Sequence, residues 1–187
     1  MRWEPDSRGR LEKAALELYG ERGYEQTTVA EIAQRAGLTE RTFFRHFADK
    51  REVLFGGSEL LRELLVDQVV SAPASAPPIE AVAGALAAAG AMMQERREQS
   101  VLRQVVIDAN PELQERELIK LAKLASALTD ALRKRGVSDL PATLAAETGI
   151  AVFKVAFTRW ISEASPPPLP EVMRTTFEEL TAQMRDP

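Results

Sequence analysis

Cysteine is absent from this 187-residue chain, and histidine occurs once. The first absence removes disulfide frameworks, thiolate metal sites and cysteine nucleophiles together, and it fits a reducing compartment. The second leaves His46 unable to build a two-histidine metal site or the paired Glu-x-x-His motifs of a di-iron helical bundle. A glycine-rich phosphate loop, an HExxH pair and a GxSxG elbow are missing too, so neither enzyme chemistry nor a cofactor or metal is expected. No alternating apolar pattern is long enough to argue for a sheet, and no internal repeat is visible. No basic-then-apolar leader opens the chain. The longest uncharged apolar stretch, Ala81 to Met93, is well short of the roughly 20 residues that span a bilayer. The expectation is a cytoplasmic protein with no membrane partner.

Charge is plentiful but unevenly placed. The net charge of −4 looks unsuited to a polyanionic partner until it is divided along the chain. Residues 1–55 carry ten Lys or Arg against ten Asp or Glu, so the whole deficit lies in residues 56–187. Between Arg35 and Arg51, five basic residues and His46 face two acids. Local field decides where a polyanion docks, which makes this window the candidate nucleic-acid surface.

The apolar periodicity is helical throughout. Leu11, Ala14, Ala15, Leu18 and Tyr19 form one stripe of a first helix, capped by Asp6 or Ser7 and ended by Gly20 or Gly23. Thr28 with Glu31 three residues on is a capping-box pattern opening a second helix, which Gly37 stops. Thr39 caps a third helix running to about Phe47, and Lys50 is expected to begin a longer one carrying Val53, Leu54, Leu61, Leu64 and Leu65. The segment SAPASAPP, Ser71 to Pro78, reads as a linker loop. Helices then follow over about Ile79–Glu95, Gln99–Ala109, Asn110–Arg135, Asp139–Glu163 and, after SPPPLP, Pro170–Met184. The expected fold is all-α with about nine helices: a three-helix DNA-binding module over residues 1–52 and a helical regulatory and dimerisation domain over 53–187.

Two short helices joined by a glycine turn present the second one to a major groove. Phe43 and Phe47 are four apart and face the module's core, which turns Arg41 and Arg45 outward. Arginine forks match guanine N7 and O6, Thr39 can reach a phosphate or base edge, and Lys50 can hold a backbone phosphate. Thr28 offers amides at another helix start, where anions are favoured. The same basic helix could also be no more than a solvated face, and the phenylalanines plain core.

The window TVAEIAQRAGLTERTFFRHFADKREVLF resembles the DNA-binding segment of the TetR/AcrR family of bacterial regulators over about residues 9–55. Thr28, Ile32, Ala33, Ala36, Gly37, Thr39, Thr42, Phe43, Phe44, His46, Phe47, Lys50 and Leu54 carry the likeness. The resemblance implies that Thr39, Arg41, Thr42, Phe44, His46 and Lys50 stand at DNA-contact positions. Phe44 departs from the family's usual tyrosine, which leaves it an apolar touch on a thymine methyl in place of a phosphate bond. The resemblance implies a sequence-specific regulator, expected to be a repressor released from a pseudo-palindromic double-stranded DNA operator by a small apolar or amphipathic effector.

One module reads few base pairs, so a homodimer on two half-sites about 34 Å apart is expected. Val152, Ala156 and Trp160, with Phe177, Leu180 and Met184, are candidate interface residues in a four-helix bundle; the alternative is a helix buried wholly within one subunit. Met92, Met93, Arg103, Val106, Phe153 and Phe157 are candidate pocket residues, although helical spacing alone reads equally as filled core. Residues from about Pro77 to Trp160 resemble the sensor domain of mycofactocin-associated actinobacterial regulators. That likeness implies an acyl-coenzyme-A-like ligand with Arg96, Arg97 and Arg103 as phosphate partners; a solvated or salt-bridged arginine face is the other reading.

Overall fold

The computed structural model describes residues 6–183. Its regular elements are α1 (Ser7–Arg22), α2 (Val29–Arg35), α3 (Glu40–His46), α4 (Ser58–Ser71), α5 (Pro78–Gln94), α6 (Arg97–Asp108), α7 (Pro111–Lys134), α8 (Asp139–Ser162) and α9 (Leu169–Gln183), with a 3-10 turn at Glu52–Phe55. The described residues contain no strand, and the nine helices are those the periodicity predicts. One expectation fails. The single helix from Lys50 is replaced by the 3-10 turn, a Gly56-Gly57 break and α4. Asp49 takes the amides of Arg51 (2.8 Å) and Glu52 (3.2 Å) and starts the turn. Val53, Leu54 and Phe55 are then all buried, which one stripe of an α-helix cannot achieve for three consecutive residues.

The helices gather into two compact units. The first joins the described residues up to Gly57 with Glu98–Glu117; the second joins Ser58–Arg97 with the described residues from Leu118 onward. The expected boundary after residue 52 therefore falls later, and the first unit is discontinuous in sequence. Its core combines Leu11, Ala15, Leu18 and Ile32 with Phe43, Phe47 and Phe55, and is completed by Val106, Ile107 and Leu113 from α6 and the start of α7. Polar bonds reinforce that closure. Arg103 Nε donates to the Leu54 carbonyl (2.7 Å), its Nη1 pairs with Glu117 (2.9 Å), and its guanidinium lies 4.9 Å from the Phe55 ring centre. Arg116 Nε donates to Glu52 (2.6 Å).

In the second unit α5 packs on α4, α8 and α9. Ala81, Ala85 and Ala89, four apart, keep α5 slim on its buried side. Gly149 of α8 is a close-approach position: a Cβ there would overlap Val82 Cγ1. Arg135 holds the Pro- and Ser-rich linker through the Pro73 carbonyl (2.6 Å). By length and composition α8 could cross a membrane, but half of its apolar window is buried inside the protein, as in a core helix.

Fully burying one Leu or Ile contributes about 1.5–3 kcal/mol, and Ile107 and Leu113 are both fully enclosed in the first unit. Residues 1–57 produced alone should therefore show little helical ellipticity and no cooperative thermal transition, whereas the whole chain unfolds cooperatively; an isolated 1–57 fragment melting like the intact protein would contradict this.

Candidate nucleic-acid interface

The site is built from two caps and one turn. Thr28 Oγ1 accepts from the Glu31 amide (3.3 Å), while Glu31 Oε2 accepts from the Thr28 amide (2.9 Å), completing the predicted capping box on α2. Gly37 ends α2 in the left-handed region at φ 65°, with the Leu38 amide donating to the Ala33 carbonyl (2.8 Å). A side chain there would also meet Arg10, whose guanidinium donates to the Ala36 carbonyl. Thr39 Oγ1 then accepts from the Thr42 amide (3.2 Å) and starts α3.

On α3 Phe43 is completely buried and Phe47, its C-cap, nearly so, their ring centres 5.5 Å apart. That packing leaves Glu40, Arg41, Phe44 and Arg45 exposed on the opposite face, with Thr42 and His46 at its margins. Arg41 makes no hydrogen bond or ion pair among the described residues. Among the described residues the one hydrogen-bonding partner of the Arg45 guanidinium is the adjacent His46 ring (3.4 Å). Phe44 is 55% exposed, an apolar plate between the two arginines. His46 Nε2 lies 2.8 Å from Ser7 Oγ. Burial, then the neighbouring Arg45 and Arg8 charges, lower its pKa from the ordinary histidine value, which favours the neutral imidazole.

The other cations of the window are not part of this face. Arg35 pairs with Glu21 (2.8 Å) and Glu17 (3.4 Å), and Arg51 pairs with Asp49 (2.6 Å). Lys50 corrects an expectation. No helix begins there; its ammonium donates to the carbonyls of Tyr24 (2.9 Å) and Thr27 (3.2 Å) and lies 4.2 Å from the Tyr24 ring centre. Its own carbonyl accepts from the Tyr19 hydroxyl (2.7 Å). Lys50 thus closes the α1–α2 loop in the chain without DNA. At Thr28, the Glu31 carboxylate accepts the Thr28 amide and has Arg22 on it at 2.8 Å. Sequence reasoning missed these partners. Only the aromatic pair Tyr19 and Tyr24, one helix turn from the loop, hinted that a cation would be held there.

The candidate pocket residues are not brought together as one set. Arg103 and Val106 belong to the first unit, where Arg103 is committed to Glu117 and Leu54 and Val106 is core. Met92 is exposed, Met93 half-buried, and Phe153 and Phe157 stack at 5.9 Å in the core of the second unit. Arg97 donates to the Trp160 carbonyl (3.2 Å) and the Glu163 carbonyl, capping the end of α8. Arg96 is exposed.

The candidate dimer residues also need correction. Val152, Ala156 and Trp160 are buried within the single chain, Trp160 completely, so they are unavailable to a partner. Phe177 and Leu180 are half-buried, and Met184 lies outside the described residues. The exposed apolar side chains of α8 are Leu140 (69%), Leu144 (58%) and Val155 (59%).

Residues 11–55 match the family model of bacterial regulatory proteins, tetR family, and residues 76–185 match that of the MftR C-terminal domain. The chain belongs to the TetR family of bacterial transcriptional regulators. Among curated TetR-family relatives, TcmR of Streptomyces glaucescens, an HTH-type transcriptional regulator, is 40% identical over 82 residues, covering 44% of this chain and 36% of that protein. The chain thus spans little more than a third of that relative's length. Among solved structures, PfmR from Thermus thermophilus is 26% identical, with a TM-score of 0.55 over 95% of this chain and 99% of that one. FadR from Bacillus subtilis, solved in complex with stearoyl-CoA, shares the TetR fold at 20% identity and a TM-score of 0.63, covering 92% and 96%.

Charge-assisted hydrogen bonds are worth about 1.5–3 kcal/mol each, so Lys50→Ala should lower the urea midpoint without DNA, while Arg41→Ala leaves it unchanged. Equal midpoints for the two variants would return Lys50 to the exposed basic face.

Proposed function

We propose that this regulator is a cytoplasmic repressor that binds a pseudo-palindromic operator as a homodimer and leaves it when a small apolar or amphipathic effector binds the second unit. The observation that carries the reading is the exposed face of α3, where Arg41 is unpaired and Arg45 is free of acidic partners. Arg41 and Arg45 are the base-reading residues. Thr39 and Thr42 reach phosphate or base edges, Phe44 rests on a thymine methyl, and His46 stands beside the backbone. Thr28 takes a peripheral phosphate contact, and Lys50 serves DNA binding by holding the loop that orients α2.

For the effector, the match to the MftR C-terminal domain and the likeness to a regulator solved with stearoyl-CoA support an acyl chain, seated against Met93, Phe153 and Phe157. Of the three arginines proposed for its phosphates, Arg96 is the exposed one; Arg97 and Arg103 are already engaged. An effector that prefers the unbound form by a few kcal/mol suffices to empty the operator.

Selection of bound duplexes from random DNA tests the reading. A recovered two-fold motif supports it, and salt-independent binding without sequence preference overturns it. With the operator in hand, Arg41→Ala should cost about 1–3 kcal/mol of discrimination at one base position per half-site. Equal losses on cognate and scrambled duplexes would remove Arg41 from base reading.

A pH dependence follows from His46. Its neutral form is favoured in the free protein, and a phosphate beside it favours the imidazolium, so operator binding takes up a proton. Affinity should rise as pH falls from about 8 to about 6 at fixed salt, and the slope should vanish in His46→Gln. A slope retained in His46→Gln would place the titrating group elsewhere.

A further inference from the structure

Trp160 is completely enclosed in the core of the second unit, and its indole Nε1 is buried without a hydrogen-bond partner among the described residues. An indole N–H can only donate, and a tryptophan in a protein interior ordinarily finds it an acceptor. Left unpaired, the donor loses its hydration and gains nothing, a loss that a phenylalanine in the same packing would avoid. Among the described residues one other buried side-chain nitrogen lacks a partner, Arg135 Nη1, but that guanidinium is bonded to the linker through Nη2. The indole has no second nitrogen. Acceptors at this end of α8 are engaged elsewhere: Arg97 donates to the Trp160 and Glu163 carbonyls, and Gln94 Oε1 accepts from the Leu169 amide (2.6 Å). The donor is thus suited to an acceptor from outside the chain.

Its setting defines that acceptor. Phe153, Phe157 and Trp160 follow one another by four and three along α8 and share one stripe, all buried, with successive ring centres 5.9 and 6.0 Å apart. Seven residues make an aromatic row about 10.5 Å long, and its one polar atom is at the C-terminal end. A cation stands there too, the Arg97 guanidinium lying 5.8 Å from the Trp160 ring centre. Along the row the order is therefore apolar surface, neutral donor, positive charge. A matching ligand carries an apolar chain, then a neutral acceptor, then an anionic head. An acyl-coenzyme A thioester has that order in its acyl chain, carbonyl oxygen and phosphates. A plain alkyl chain would leave the N–H unpaired, and a free fatty acid would bring its charge to the neutral donor. Met173 belongs to the same core and Met93 packs against it, so flexible thioethers give the core room to rearrange around a chain.

We propose that the Trp160 indole N–H is the specificity-determining donor of the second unit, bonding the acyl carbonyl oxygen of a thioester effector whose chain lies along Phe157 and Phe153. The proposal rests on the acyl-effector reading above and adds the group that tells a thioester from an equally apolar chain.

Two probes that differ only in that carbonyl test it, decanoyl-coenzyme A and its thioether analogue S-decyl-coenzyme A. By calorimetry the full chain should bind the thioester about tenfold more tightly, as when a buried donor is paired in one complex and unpaired in the other. Trp160→Phe should bind the two alike, near the wild-type affinity for the thioether. The chain has two tryptophans, so a proton–nitrogen correlation spectrum carries two indole N–H signals, and Trp3→Phe identifies that of Trp160. This signal should move downfield with the thioester, well beyond its position with the thioether. That readout needs no change at position 160 and decides the matter even if a circular dichroism melt shows Trp160→Phe to be misfolded. Equal wild-type affinities for the two probes, a folded Trp160→Phe that still discriminates, or an indole signal at the same place in both complexes overturns the role of Trp160 and leaves the acyl-effector reading standing. Binding of neither probe overturns that reading and the proposal with it.

Discussion

The burial of Phe43 and Phe47 fixes which way α3 faces, and the rest of the first unit is arranged around that constraint. Two rings one helical turn apart take the inner side of a seven-residue helix, so the outer side is left to Arg41, Phe44 and Arg45. A helix this short has little stability of its own. Its orientation is imposed by the elements it packs on, α1 and α2, within the core to which the 3-10 turn, α6 and the start of α7 also contribute. Arg103 and Arg116 lock that far segment to the turn through the Leu54 carbonyl and the Glu52 carboxylate. The positively charged surface is therefore a by-product of packing, with its direction set from inside.

Electrostatics in the unit follows the same logic of internal commitment. Sequence counting finds five cations between Arg35 and Arg51, and the folded chain spends three of them on its own acids and carbonyls. What remains for a polyanion is a pair of guanidiniums on one short helix, flanked by the His46 imidazole. Specificity then depends on geometry more than on net attraction, as suits a protein whose total charge repels DNA.

Local signals were readable because their partners are near in sequence. Thr28 with Glu31, Thr39 with Thr42 and the left-handed Gly37 each settle their own structure within a few residues, and the helix limits followed from them. The reading failed where partners are remote. Lys50 looked like a helix-starting cation because the carbonyls it binds lie more than twenty residues earlier. The 3-10 turn escaped notice because Val53, Leu54 and Phe55 are buried by residues some fifty positions on. On α8, apolar side chains occur all round, so periodicity could not decide which side the chain buries itself; Val152, Ala156 and Trp160 turned out to be that side. The arginines of α6 were ambiguous for the same reason, since a guanidinium that caps a carbonyl and one that awaits a phosphate look alike in sequence.

The discontinuity of the first unit also bears on how the protein comes into being. Sixty residues separate Gly57, where the first stretch of the unit ends, from Glu117, where its second stretch ends. At ordinary synthesis rates of about 5–20 residues per second, this leaves an interval of roughly 3–12 s in which α1 to α3 have left the ribosome without Ile107 and Leu113 to cover them. During that interval the part of the core that Ile107 and Leu113 later complete is open to solvent. A chain cut short by a premature stop before α7 lacks Leu113, and with it part of the core that the two stretches build together.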